Sequence, residues 1–311
     1  MKKYHLIFSL LLSLLAALAT PASAADSWPR TIENADGSVV IIKSPPKRIL
    51  STSASVTGTL LAINAPVVAS GSAINGEFFA QWKDVAEQRE LINVWPAGKI
   101  DLEAAYGVNP DLIIVSTTGA DSVMAHVSLL KSIAPVLIVN YSDKDWQTLA
   151  KRLNRALGDE VDASALIARF EQHVANTRNA MIIPEGAVDL VYYTGGGSVS
   201  YVGLASSTQG QLYQALGFSL AALDPQFKAK KQHSHFVEVE HEQLSLLKGQ
   251  TTFLMRRGVS DQNSFTQDPI LQNLPSVTNK HVWGMGENSF RVDYYSAMEI
   301  VNNMAKLFAK K

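Results

Sequence analysis

The sequence contains no cysteine at all. That excludes disulfides as a source of stability and removes the residue that would carry a lipid anchor. Long apolar runs are equally scarce. The longest, residues 6–18 (LIFSLLLSLLAAL), is about 13 residues, short of the roughly 20 that a membrane-spanning helix needs. It follows Lys2 and Lys3 and precedes the small-residue site Ala22-Ser23-Ala24, so it reads as an export signal cleaved near Ala24. An excess of positive charge is missing too. The signal takes two lysines from the 27 Lys plus Arg, leaving 25 against 28 Asp plus Glu, a formal charge of −3. Such a balance argues against a nucleic-acid partner. A soluble protein of the bacterial periplasm is expected.

Catalytic signatures are also lacking. There is no G-x-S-x-G elbow, no G-x-x-x-x-G-K-[ST] phosphate loop and no H-E-x-x-H helix. The glycine run Gly195-Gly196-Gly197 lacks the rest of a phosphate fingerprint and reads as a flexible loop. The stretch HSHFVEVEH sets His233, His235 and His241 near Glu238 and Glu240, residue types that suit Zn or Mn. His126, His173 and His281 have no acidic neighbours at ligand spacing, and a solvated loop is the reading preferred there. No enzyme and no resident cofactor or metal are expected.

What is present is an α/β alternation. Apolar segments at 48–50, 67–69, 112–115 and 136–139 are separated by helix-period stretches, the pattern of buried, mostly parallel strands. Residues 145–181 are helix-period throughout, with Leu166, Ile167, Phe170 and Val174 on one stripe. After Ile183-Pro184-Glu185-Gly186 the alternation restarts at 189–193. The segment 239–286 repeats the order of 101–140: a helix with a glutamate, a strand, a polar loop, a short helix, a proline and a strand. Glu103 precedes Ile113 by ten residues and Glu242 precedes Phe253 by eleven. Two α/β lobes joined by one long helix fit this order, although α/β segments can look alike without being repeats.

Ligands of open α/β sheets bind beyond the carboxyl ends of strands. The loops singled out on that ground are 116–119, 194–198, 256–258 and 288–291. Two of the four carry arginine: Arg256 and Arg257 in one, Arg291 in the other. With Trp95 and the aromatic residues around Arg291 as flat apolar surface, they suit an anionic aromatic ligand. The competing readings are a salt bridge from Arg291 to Asp293 or Glu287 that caps the last helix, and a solvated turn for Arg256 and Arg257.

Several stretches carry a resemblance that covers nearly the whole chain beyond the signal: WPR at 28–30, RILSTSASVTGTLLAINAPVVASG at 48–71, NPDLIIVSTTGADS at 109–122, SIAPVLIVNYSDKDWQ at 132–147, QGQLYQALGF at 209–218 and FRVDYYSAM at 290–298. The chain resembles the periplasmic solute-binding proteins of ABC importers that carry iron-siderophore complexes, in the catecholate branch that includes ferric enterobactin carriers. The resemblance implies two Rossmann-like lobes with mostly parallel sheets joined by a single long helix. Residues 25–158 would form the first lobe, 159–182 the helix and 183–311 the second lobe. It implies a ferric catecholate as ligand, with Fe(III) carried only inside the siderophore complex, and an inner-membrane ABC permease docked through Glu103 and Glu242. Ligand contacts are expected from Trp95, Thr118, Arg256, Arg257, Arg291 and Tyr294, in a monomer. The sequence departs from the enterobactin carrier at about 72–98 and 195–208, so a different catecholate is open. Haem, cobalamin or a metal ion as cargo, or an exported siderophore hydrolase, are the alternatives.

Overall fold

The computed structural model describes residues 28–141, 145–158, 162–232, 235–256, 258 and 262–310. The export signal, His233 and Arg257 therefore lie outside the described residues.

The first lobe opens with a hairpin, β1 (Arg30–Glu33) and β2 (Val39–Ile42). Next come β3 (Ile49–Ser51), α1 (Ala54–Ala62), β4 (Val67–Ser72), α2 (Ala80–Gln88), β5 (Ile92–Pro96), α3 (Leu102–Gly107), β6 (Leu112–Ser116), α4 (Val127–Leu130) and β7 (Val136–Val139). The five strands β3–β7 form a wholly parallel sheet in the order β5-β4-β3-β6-β7. Buried on both faces, β6 as far as Val115 and all of β7 are apolar at successive positions. That is why LIIVS and VLIV show no alternation.

α5 (Trp146–Leu157) packs against α1 of the first lobe, and α6 (Ala163–Ala180) leads on to the second. Asp162 caps α6 by accepting from the Ala165 amide at 2.8 Å, which supplies one amide its missing partner at the helix start. Leu166, Ile167, Phe170 and Val174 are buried, as their spacing predicts.

The second lobe contains β8 (Ala187–Tyr192), β9 (Ser200–Gly203), α7 (Thr208–Ala215), β10 (Ser219–Leu220), β11 (Ala229–Gln232), β12 (Phe236–Val239), β13 (Thr251–Leu254), α8 (Gln262–Thr266), α9 (Pro275–Thr278), β14 (Val282–Gly284) and α10 (Tyr294–Leu307). Its sheet is mixed rather than mostly parallel. β10, β8, β13 and β14 run parallel, while β9, β12 and β11 extend the far side antiparallel. This corrects the reading of HSHFVEVEH as a loop. Val237 and Val239 point inward while Phe236 and Glu238 are half-exposed, the period-two signature of a strand.

One apolar core runs through both lobes. It contains Ile49, Leu112 and Leu137 of the first sheet, Phe170 and Val174 of α6, and Val188, Phe253 and Ile300 of the second lobe. Wide hinge motion would have to expose that shared surface, so the lobes form a stiff pair. Among the described residues no helix is long and apolar enough to cross a membrane.

Candidate functional site

The carboxyl ends of β4, β5 and β6 in the first lobe and of β13 and β14 in the second open onto one cleft. Its cavity is about 730 Å³ in volume. Ser72 to Asn75, Glu77 to Gln81, Ala120 and Asp121 line it from the first lobe, and Arg256, Glu287, Asn288, Phe290 and Arg291 from the second.

Arg291 stands in the turn after β14. Its Nη1 donates to Ser55 Oγ, in the other lobe, at 2.8 Å, and its guanidinium carbon lies 5.3 Å from the Phe79 ring centroid. Neither Asp293 nor Glu287 is its partner, which overturns the salt-bridge reading. The Asp293 carboxylate is occupied elsewhere: Oδ1 accepts from the Ser296 amide and Oδ2 from Gln81 Nε2. Arg256 is held at a positive φ of 56°, and its amide donates to Ser289 Oγ at 2.8 Å. Its guanidinium sits 5.8 Å from the Tyr192 ring centroid, and Nη1 donates to the Tyr192 hydroxyl at 3.3 Å. Arg256 is exposed in a turn, as the solvated-turn reading expects, with the Tyr192 ring beside it at the cleft wall, and Arg257 lies outside the described residues.

The other charges at the site are largely spoken for. Lys83 pairs with Glu77 at 3.1 Å. Buried Asp121 accepts from Ser53 Oγ, the Ser55 amide and the Tyr141 hydroxyl. Burial, then the Asp121 charge, raises the Tyr141 phenol above its ordinary value. Gly119 makes this arrangement possible. Its φ is 94°, and a Cβ there would run into the Tyr141 hydroxyl and Asp121 Oδ1. That leaves two guanidinium groups, Arg256 and Arg291, and two carboxylates, Asp121 and Glu287, without an ion pair among the described residues lining the cavity, Asp121 being met by neutral donors alone.

Aromatic rings wall both sides. Phe78 and Phe79 rest on buried Trp82, with centroids 5.2 and 6.0 Å away. Across the cleft Phe290 contacts Tyr192 at 4.9 Å and Phe236 at 5.2 Å, and Tyr192 stacks on Tyr201. Guanidinium donors between such faces can take up an anionic ring system by hydrogen bonding and stacking at once.

The remaining expected contacts are distributed unevenly. Trp95 is only 4 % exposed and belongs to the first-lobe core with Leu50, Ala69 and Ile113, so its ring faces the sheet interior, away from the cleft. Tyr294 is turned into the seam between the lobes, edge-on to Trp146 and Phe170. Thr118 lies two residues before Ala120 of the lining, its hydroxyl 3.4 Å from Asn140 Oδ1. Phe78, Phe79 and Tyr192 are not among the ligand contacts expected from the sequence, whereas Phe290 is one of the aromatic residues expected around Arg291. Phe78 and Phe79 lie between β4 and α2, in a segment without a motif that marks them.

The histidine cluster disperses. His241 is buried and bonds Asp268 at 3.0 Å, with the Tyr193 hydroxyl on the same carboxylate oxygen. Burial works to raise Asp268, but the bonds from Tyr193, the Ile270 amide and His241 outweigh it and hold the carboxyl below its ordinary value. Among the described residues no group of three or more His, Asp and Glu side chains could hold a metal ion. A second cavity, about 580 Å³, lies beside α6 between Trp146, Phe170, Val174 and Leu212. It is walled by helix sides rather than strand ends and is not where this fold class presents its ligands.

The periplasmic binding protein family model matches residues 49–288. The chain is 38 % identical over 315 aligned residues to the ferric enterobactin-binding periplasmic protein FepB of Escherichia coli O6:H1, covering 97 % of this chain and 96 % of that one. It superposes on the crystal structure of holo-ViuP with a TM-score of 0.87 at 46 % identity, covering 92 % of this chain and 97 % of that one. The structure of Staphylococcus aureus SirA complexed with staphyloferrin B shares the fold at a TM-score of 0.69 and 17 % identity, over 91 % of this chain and 100 % of that one.

Proposed function

The chain belongs to the periplasmic binding protein family, and from that membership and the chemistry of its cleft we propose that it captures a ferric catecholate siderophore between its lobes and delivers it to an inner-membrane ABC permease. The observation that carries this reading is the convergence of Arg256 and Arg291 on one cavity walled by Phe78 and Phe79 on one side and Phe290 on the other. Three catecholates around Fe(III) present a triply negative body with aromatic faces. Each guanidinium contact to a catecholate oxygen inside a partly dehydrated cleft contributes on the order of 1.5 to 3 kcal/mol. The relative named for ferric enterobactin binding supports the same cargo class. Arg257 belongs with these cations on sequence grounds, and Thr118 is a polar neighbour of the lining. Trp95 and Tyr294 act behind the site as packing residues.

Delivery rests on Glu103 and Glu242. Both are exposed, each in the first turn of a short helix that leads into a central strand, α3 before β6 and the 3-10 helix His241–Leu246 before β13. Equivalent placement in the two lobes suits a permease that presents a basic residue to each. The carrier acts as a monomer after signal cleavage near Ala24, holds no resident cofactor, and handles Fe(III) only as the siderophore complex. The variable segment 72–98 supplies Phe78 and Phe79, so the choice among catecholates is made there.

Tryptophan quenching tests this directly, since five tryptophans are available to report. Titration with ferric enterobactin, other ferric catecholates, haem, cobalamin and ferric citrate should give saturable quenching with a catecholate alone. Tight binding of haem or cobalamin instead would replace the cargo assignment.

A further inference from the structure

Arg291 does not hold Asp293 through its charge, yet the two are linked through the backbone. Asp293 caps α10 with a reciprocal pair of bonds: its Oδ1 accepts from the Ser296 amide, and its own amide donates to Ser296 Oγ, both at 3.0 Å. The same Ser296 hydroxyl donates to the Arg291 carbonyl oxygen at 2.7 Å. The cap therefore fixes the peptide from which the Arg291 side chain departs.

The other carboxylate oxygen reaches across the lobes. Asp293 Oδ2 accepts from Gln81 Nε2 of α2 at 3.2 Å, and it lies 2.5 Å from where a Cβ on Gly58 of α1 would stand. Only glycine at 58 permits that approach. The two first-lobe partners of Arg291 hang from these same elements. Ser55 is three residues before Gly58 on α1, and Phe79 is the N-cap residue of α2, two before Gln81. One buried carboxylate thus touches the three elements that place the guanidinium, its hydroxyl partner and its ring partner.

We propose that Asp293 is a positioning residue for ligand capture, setting Arg291 against Ser55 and Phe79 across the cleft without touching the ligand itself. This rests on the reading of Arg291 as a ligand-facing cation. Asp293 is 7 % exposed and lies outside the cavity lining, so its substitution acts on affinity only through what it holds. Ser296 is the relay and Gln81 the first-lobe anchor.

The test is a double-mutant cycle read by quenching with ferric enterobactin, with thermal melting alongside. Arg291→Ala should weaken binding tenfold or more. Asp293→Ala should weaken it by a similar factor, and the double variant Arg291→Ala/Asp293→Ala should be no weaker than Arg291→Ala alone. Asp293→Asn keeps an acceptor for the Ser296 amide and, with the Gln81 amide turned over, a partner across the lobes, so it should bind within about threefold of wild type. Where Asp293→Ala does not fold, Ser296→Ala carries the cycle, because it removes the bond to the Arg291 carbonyl and leaves the carboxylate bond to the residue-296 amide. Additive losses in the double variant, or undiminished binding by Asp293→Ala or Ser296→Ala, overturn the positioning role and leave the reading of Arg291 intact. Wild-type affinity in Arg291→Ala overturns both.

Discussion

The Arg291 guanidinium donates to the Ser55 hydroxyl at 2.8 Å, a bond across the cleft between residues 236 apart in sequence. With Phe79 under its face, the guanidinium is oriented by a donor contact and a stack together, so less rotamer freedom remains to be lost when a ligand arrives. Lysine would keep the charge but neither the planar fork nor the stack. Arg291→Lys is expected to weaken ferric catecholate binding by about 1 kcal/mol, roughly fivefold. Equal affinity would reduce the residue to a point charge.

The aromatic walls should act in proportion to their faces. Phe79→Ala removes both a cleft surface and the stacking partner of Arg291, whereas Phe78→Ala removes a cleft surface alone. The expected order of affinity is wild type, then Phe78→Ala, then Phe79→Ala, measured by quenching titration at constant salt.

Docking charges are separable from binding. Glu103 and Glu242 are exposed and away from the cavity lining, so Glu103→Arg with Glu242→Arg should leave siderophore affinity unchanged. Folding should suffer by less than about 1 kcal/mol, the scale of a helix-terminus charge. Iron uptake in cells relying on this carrier should be lost. Persistence of uptake would remove the two acids from the permease contact.

Much of this was legible before any coordinates. The buried strands at 112–115 and 136–139 announce themselves because strands covered on both faces favour unbroken apolar runs, and the stripe Leu166, Ile167, Phe170, Val174 marks the connecting helix. Arg256 and Arg291 could be placed at the cleft because their loops follow such strands. Trp95 could not be placed, since a tryptophan on a short strand serves a core as readily as a cleft, and the direction of its face is set by pairing with β4. Phe79 became a site residue only when the chain folded α2 against Arg291, a contact with no local signal. Within HSHFVEVEH the strand Phe236–Val239 is only four residues long, so its Val237, Val239 alternation is a weak signal beside the polar residues around it.

Burial raises the carboxyl of Asp189 to about 6, with the Gly249 amide opposing the shift through its bond to Oδ2. The folded value lies above the unfolded value of 3.8, so the native state holds the extra proton between those limits. This group's contribution to stability is greatest below about pH 4, falls as pH rises towards and through 6, and is flat above. Asp189→Asn retains an acceptor for the Gly249 amide and cannot ionise. Relative to wild type it should gain on the order of 2 kcal/mol between pH 4 and pH 7, measured by urea unfolding at each pH. A difference that does not change over that window would show that the carboxyl ionises freely in the fold.

Gly119 is a sharp structural test because two faults coincide there, a φ of 94° and no room for a Cβ beside Tyr141 and Asp121. Gly119→Ala should cost about 1 to 3 kcal/mol in unfolding free energy and should disturb the Asp121 cluster that orders Ser53 and Ser55. A neutral effect would mean the loop after β6 can adopt another conformation without loss.

Two guanidinium groups in the interlobe cleft are proposed to hold the ferric catecholate. The most direct measurement is the affinity of the double variant Arg256→Ala/Arg291→Ala for ferric enterobactin by tryptophan quenching, with melting temperature confirming the fold. A loss of a hundredfold or more with the fold retained, and a shallower salt dependence than wild type, are expected. Wild-type affinity in a folded double variant would contradict it.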